Sequence, residues 1–220
     1  MTSRFALAML GLIAAPAAAQ DAPPPAPAVA PAVPPAPPVP PVPKPEPATV
    51  RVTLVTGEGP IVVAVETERA PLTAANFLKY VDGKRLDGTA FYRAANIAPG
   101  FGLVQAGTRN DPKKTLPAIR HEPTSTTGLH HGDGTLSMAR AASGTASGDF
   151  FIVVGDMPTM DADPAAPGDN LGFAAFGHVV EGMDVVRRIL VAPTSPTDGE
   201  GAMKGQMLAP VVRIVSARRG

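Results

Sequence analysis

The chain has 220 residues, with 19 Lys and Arg against 19 Asp and Glu, no Cys and no Trp. Without a thiolate it can form no disulfide, cysteine-ligated zinc site, iron–sulfur cluster or cysteine nucleophile. Its zero net charge, with no local basic cluster and only a terminal pair in Arg218-Arg219, argues against a nucleic-acid partner.

Residues 1–20 carry Arg4, then a small or apolar run from Phe5 to Ala19 that ends in Ala17-Ala18-Ala19. This pattern predicts a secretory signal peptide with an A-x-A cleavage site. A retained membrane anchor would need about 18 or more strongly apolar residues, whereas this run is alanine-rich and interrupted by Pro16. The expected address is therefore the periplasm. No membrane attachment is expected after cleavage, because there is no Cys to carry a lipid. Residues 21–49 hold 14 of the 27 prolines, all between Pro23 and Pro47 among Ala and Val. That composition cannot offset the entropy of folding and predicts an extended Pro/Ala-rich linker, with a reach on the order of 80 Å in the polyproline II form. Residues 50–220 remain as one folded domain of ordinary size.

The domain opens with Val50, Val52 and Leu54 alternating against Arg51 and Thr53, followed after a Gly-Glu-Gly-Pro turn by Ile61, Val63 and Val65. Two antiparallel strands joined tightly are predicted. Pro71 stands at a first helical position, and Ala74, Phe77, Leu78 and Val81 recur at i, i+3, i+4 and i+7, predicting an amphipathic helix that ends near Gly83. Short strand-like runs follow at 90–93, 103–105, 135–138, 150–154 and 174–180, separated by Gly- and Asp-rich stretches. A second helix places Met183, Val186, Ile189 and Leu190 on one side, and a last strand covers 211–216. Many short strands with two lone helices suggest a helix-capped barrel.

The chemistry is narrowed by what fails to match. No G-x-S-x-G marks a serine hydrolase. His130-His131 with Asp133, and the group Asp161, Asp163 and Asp169, match no known metal cage and read as solvated loop residues. No metal and no cofactor are expected. What remains are the runs Phe91-Tyr92-Arg93, Leu103-Val104-Gln105-Ala106-Gly107, Gly134 to Arg140 containing Ser137-Met138-Ala139, and Gly148-Asp149-Phe150-Phe151-Ile152.

In these runs, and in the segment from Phe176 to Val186, the sequence resembles the cyclophilin-type peptidyl-prolyl isomerases, in order and approximate spacing over about residues 50 to 218. The resemblance implies a mainly β fold: a closed eight-stranded antiparallel β-barrel capped by two α-helices, with the active groove on its outer face. It implies catalysis of rotation about X-Pro bonds. Amide resonance sets a barrier of about 18–20 kcal/mol, although cis and trans differ by only about 0.5–1 kcal/mol. A catalyst need only stabilise the twisted state, in which the prolyl nitrogen regains a lone pair that a fixed donor can engage.

Carried over by motif, Arg93 is the catalytic donor, a permanently charged fork of N–H groups. Gln105 binds the substrate carbonyl, while Phe151 and Leu103 form the floor and a wall of the proline pocket. Phe150, facing the other way, belongs to the core. Ala139 and Arg140 fall on the segment that binds the substrate backbone. The family's pocket Phe falls on Phe101, displaced by one, or is replaced by Gly102, because the chain between Arg93 and Gln105 is longer than usual. Leu171 is the expected far side of the pocket, Phe173 stands where the family often has His or Tyr, and Asp149 where Gln is usual. The missing groove Trp implies weak or no cyclosporin binding. The partners implied are X-Pro-containing peptides or unfolded clients, with the Ala-Pro and Val-Pro bonds of the protein's own linker as a further candidate, and a monomer is expected. The alternative is a non-catalytic proline-peptide-binding or chaperone-like module that keeps the same groove.

Overall fold

β1 (Thr49–Thr56) and β2 (Gly59–Glu66) form the antiparallel hairpin that their alternation predicts, with Val52 opposite Val63 and Leu54 opposite Ile61. These four side chains are fully buried. The computed structural model describes residues 46–220, so the expected signal peptide and nearly all of the expected linker lie outside the described residues.

Helix α1 (Pro71–Asp82) starts with Pro71 and stops at Gly83, whose N–H donates to the Lys79 carbonyl while the Lys84 N–H donates to that of Val81. Ala70, at its N-cap, has no side chain to cap the first turn. Glu122 does this from the segment before the short helix α2 (Thr124–Thr127). Its carboxylate accepts from the Leu72 N–H at 3.1 Å and from the Thr73 N–H and hydroxyl at 2.6 Å each. A helix N-terminus presents unsatisfied N–H groups and positive dipole charge, and a carboxylate answers both.

The remaining strands are β3 (Ala90–Ala98), β4 (Phe101–Gly107), β5 (Thr135–Met138), β6 (Asp149–Val154), β7 (Ala174–Glu181), the two-residue β8 (Thr194–Ser195) and β9 (Met207–Arg219). Helix α3 (Met183–Leu190) lies between β7 and β8. Eight strands close a ring in the order β1-β2-β7-β5-β6-β4-β3-β9, with β9 returning to β1, and every pairing is antiparallel. β8 only adds a pair to β9. The closed eight-stranded barrel with two substantial helices agrees with the expectation from sequence.

The extra residues between Arg93 and Gln105 lengthen the β3–β4 hairpin, which turns at Pro99-Gly100 and carries register shifts between Phe91 and Arg93 and between Asn96 and Ala98. Inward side chains of the ring, among them Phe91, Val104, Leu136, Phe150, Ile152 and Phe176, make the main core with both helices. Phe77 of α1 meets Phe150 edge-on at 5.3 Å and Phe176 at 5.1 Å, in the range aromatic pairs favour. The alternate residues of the same strands face outward. Leu103, Phe151 and Val153, with Ala95 and Met157, form a second, smaller apolar cluster on the outer surface of the barrel.

Candidate functional site

That outer cluster floors a groove of about 1200 Å³. Side-chain alternation on β4 and β6 sends Leu103, Gln105 and Phe151 outward into it, while Val104, Phe150 and Ile152 stay in the core. Arg93 comes from β3, where Arg93 pairs with Gln105 across the ladder. The lining continues through Asp198, Gly199, Glu200 and Met203 of the segment before β9, and Met207 and Leu208 at the start of β9.

Arg93 is half-buried and every hydrogen bond it makes goes to an amide oxygen. Its Nη1 donates to Gln105 Oε1 at 2.9 Å, and its Nε and Nη2 donate to Gln206 Oε1 at 2.9 and 2.7 Å. Burial lowers its pKa from the ordinary arginine value, but a guanidinium remains charged at any physiological pH. Gln105 is oriented by both ends of its amide, because its Nε2 donates to the Tyr92 hydroxyl at 2.6 Å. One Nε2 proton is then left for a substrate. Arg109 stands over the Tyr92 ring at 5.0 Å, and its N–H donates to Asp149 Oδ1 at 2.8 Å. Burial pushes the Asp149 carboxyl up from its ordinary value, with the Arg109 and Thr108 backbone bonds opposing. Burial likewise raises the pKa of Tyr92.

The end of the groove at Phe151 is aromatic. Phe173 meets Phe151 edge-on, with centroids 5.4 Å apart and planes at 88°. Phe173 is itself fixed from two sides: its N–H donates to the Met160 carbonyl at 2.9 Å, and the Arg140 guanidinium lies 5.2 Å from its ring. Arg140 is held in turn by Asp169 at 2.6 Å and by the Gly172 carbonyl. Its side chain therefore braces the 161–172 loop. The Ala139 N–H is donated to the Asp149 carbonyl at 2.9 Å and is not open to a substrate, although Ala139 and Arg140 both line the groove.

The structure brings seven of the nine expected site residues, Arg93, Gln105, Leu103, Phe151, Ala139, Arg140 and Phe173, into this one groove. Leu171 and Phe101 are corrections. Leu171 is 37% exposed and lies outside the lining; its backbone is tied to Asp169 and His121, and the chain turns at Gly172 (φ 59°) before Phe173 enters. Met160 lines that end instead. Phe101 sits at the start of β4 opposite Ala98, packed against the edge of the outer cluster with its ring over Gly155, and does not reach the lining of the groove. Neither Phe101 nor Gly102 lines the groove.

His131 is a further correction. Expected in a solvated loop, its side chain is fully buried behind Phe151, bonded to Asp161 Oδ1 at 2.6 Å and to Ser137 Oγ at 2.9 Å. Asp161, His131 and Ser137 stand in the order a hydrolytic triad uses, but Ser137 has no accessible surface and can meet no acyl group. Among the described residues no three His, Asp or Glu gather as metal ligands would. Tyr92, Met160, Met203 and Gln206 were not singled out by the sequence reading. Tyr92 had a signal, since it sits inside the Phe-Tyr-Arg run.

A closed barrel with an apolar hollow on its flank, edged by oriented amides and one guanidinium, is built to hold and polarise an extended chain without covalent chemistry. The family model described as cyclophilin type peptidyl-prolyl cis-trans isomerase/CLD matches residues 51–219, and the chain belongs to that family. The peptidyl-prolyl cis-trans isomerase of Acinetobacter baylyi is 36% identical over 152 residues, 67% of this chain and 76% of that protein. Peptidyl-prolyl cis-trans isomerase B of Escherichia coli is 35% identical over 144 residues, covering 63% and 82%. A cyclophilin-type isomerase of Cryptosporidium parvum superposes with a TM-score of 0.62 at 18% identity, covering 79% of this chain and 98% of that one. A second structure of that protein was determined in the presence of the dipeptide Ala-Pro. The protein is accordingly a peptidyl-prolyl cis-trans isomerase.

Proposed function

We propose that this isomerase acts in a bacterial periplasm on X-Pro bonds of exported, unfolded or flexible chains, as a monomer and without a cofactor, with Arg93 as its catalytic donor. The observation that carries the site assignment is the Arg93–Gln105 pair set over the Phe151 floor. The prolyl ring seats on Phe151, bounded by Leu103, Met160 and Phe173. As the bond twists, the nitrogen becomes pyramidal and its new lone pair accepts from a guanidinium N–H of Arg93, an interaction that the planar ground state does not offer. The free Nε2 proton of Gln105 holds the neighbouring carbonyl. The ligand proposed is an Ala-Pro-type peptide, and the Ala-Pro and Val-Pro bonds within residues 21–49 have the same chemistry.

The test is NMR exchange between the cis and trans forms of a short Ala-Pro peptide, with the intact protein, Arg93→Ala and Phe151→Ala. Acceleration should fall steeply to a small residual rate in both variants, with peptide binding weakened chiefly in Phe151→Ala; full acceleration by Arg93→Ala would end the assignment. Export is tested separately by sequencing the N-terminus of the cellular protein. A start just after the Ala17-Ala18-Ala19 run supports it, and a retained Met1 contradicts it.

A further inference from the structure

Arg93 is not oriented by the groove strands alone. The chain before β9 returns alongside β3, where the Gln206 carbonyl accepts from the N–H of Ala94 at 2.9 Å, one residue beyond the arginine. From that anchored position the Gln206 side chain turns its Oε1 onto the Nε and Nη2 of Arg93 at 2.9 and 2.7 Å. With Nη1 given to Gln105, three of the five guanidinium N–H groups are committed, and one on each terminal nitrogen remains for a substrate.

Both partners are neutral. Among the described residues no carboxylate pairs with Arg93, although the chain uses carboxylate partners for Arg51, Arg69, Arg140, Arg187, Arg188, Arg218 and Arg219. An Asp or Glu at position 206 would fix the fork and also cancel its charge. A glutamine fixes it and leaves the charge for the twisted prolyl nitrogen.

We infer that Gln206 is a positioning residue for the isomerisation, acting through Arg93 by holding the guanidinium in its donor orientation without neutralising it; this rests on Arg93 being the donor. Arginine carries many rotamers, and displacing a reacting group by about 1 Å can cost about 100-fold in rate. Gln206 also ends the segment that lines the groove through Asp198, Gly199, Glu200 and Met203. Its N–H donates to the Met203 carbonyl at 3.1 Å, and the Gly205 N–H to the Asp198 carbonyl at 3.0 Å. The wall that meets the substrate and the clamp on the donor are thus one continuous piece of chain.

The experiment is a double-mutant cycle on the full chain, with exchange NMR on an Ala-Pro peptide as the rate and titration of the same peptide as the affinity. Gln206→Leu keeps the bulk and removes the acceptor. It should lower kcat by about 10-fold with the peptide dissociation constant changed less than about twofold, and cause no further loss in an Arg93→Ala background. The Nε–H resonance of Arg93, protected in the parent, should exchange rapidly in Gln206→Leu. Gln206→Glu should keep that resonance protected and still lose kcat, because its charge offsets that of the guanidinium. A loss of equal size in the Arg93→Ala background, a loss confined to affinity, or full activity in Gln206→Leu would overturn the inference. Unchanged exchange in Arg93→Ala alone would instead remove the reading of Arg93 on which it rests.

Discussion

His131 lies stacked behind Phe151, ring centroids 6.2 Å apart and planes 16° from parallel, so the floor of the groove rests on an imidazole with no solvent exposure. Asp161 is held below the usual carboxylate range by its bonds to His131 and His130, which outweigh the opposing effect of burial. As an ionised carboxylate it only accepts, so His131 Nδ1 carries the proton, and Nε2 of the neutral ring accepts from the Ser137 hydroxyl. His131→Leu leaves a buried hydroxyl unpaired and should cost about 2 kcal/mol, read as a lower unfolding temperature. Peptide affinity should fall by roughly threefold as the Phe151 ring loses its backing.

Burial lowers the pKa of His131 from 6.5, with Asp161 opposing. The unfolded chain therefore binds more protons than the folded one between about pH 6.5 and the lower folded value, so this group's contribution to stability is present above the window and is lost as pH falls through it. Asp149, raised by burial, acts in the opposite direction at lower pH. The measurement is the difference in unfolding temperature between parent and His131→Asn from pH 7 to pH 5. The gap should narrow on acidification; a constant gap would contradict the assignment.

Much of this was legible in the sequence where the information is local. The helical period from Ala74 to Val81 gives α1, with its start at Pro71 and its stop at Gly83, and the run 135–138 coincides with β5. Alternation also separates Phe150 from Phe151. Longer-range features carried no such mark. Pro210 interrupts the pattern of β9, so the strand reads from Val211 although it begins at Met207. Gln206 meets Arg93 across 113 positions, and Glu122 caps a helix 49 positions away. His131 looked solvated because only the closed fold brings Asp161 and Ser137 to its two nitrogens.

Glu122 substitutes for a local cap on α1, so its removal should act on stability and spare the groove. Glu122→Ala leaves the Leu72 and Thr73 N–H groups unmet and should cost about 2 kcal/mol, lowering the unfolding temperature by roughly 4–8 °C for a domain of this size. Glu122→Gln, which keeps an acceptor, should lose less. Calorimetry reads both, and exchange on the peptide should be unchanged well below the transition.

Gly107 closes β4 at φ 136°, and a Cβ there would stand 2.3 Å from the Gly148 carbonyl oxygen. The contact is with backbone, so no side-chain rotation relieves it. Gly107→Ala should destabilise by about 3 kcal/mol or more. It should also disturb Gln105 two residues earlier, reducing exchange activity in whatever fraction remains folded. Native-like stability on chemical denaturation would show that the β4–β6 edge can give way.

Arg93 does not titrate near neutrality, so kcat should be flat from about pH 6 to pH 8. Exchange rates at saturating peptide across that range check this. A bell-shaped profile would assign the chemistry to His or carboxylate groups instead.

The most direct test of the account is Arg93→Lys, which keeps the positive charge but lacks the fork that binds Gln105 and Gln206 together. In exchange NMR on an Ala-Pro peptide, the account predicts a fall in catalysed rate of about 100-fold with peptide affinity nearly unchanged. A lysine variant that turns over at the parent rate would contradict it, because a charge alone, without an oriented donor, would then suffice.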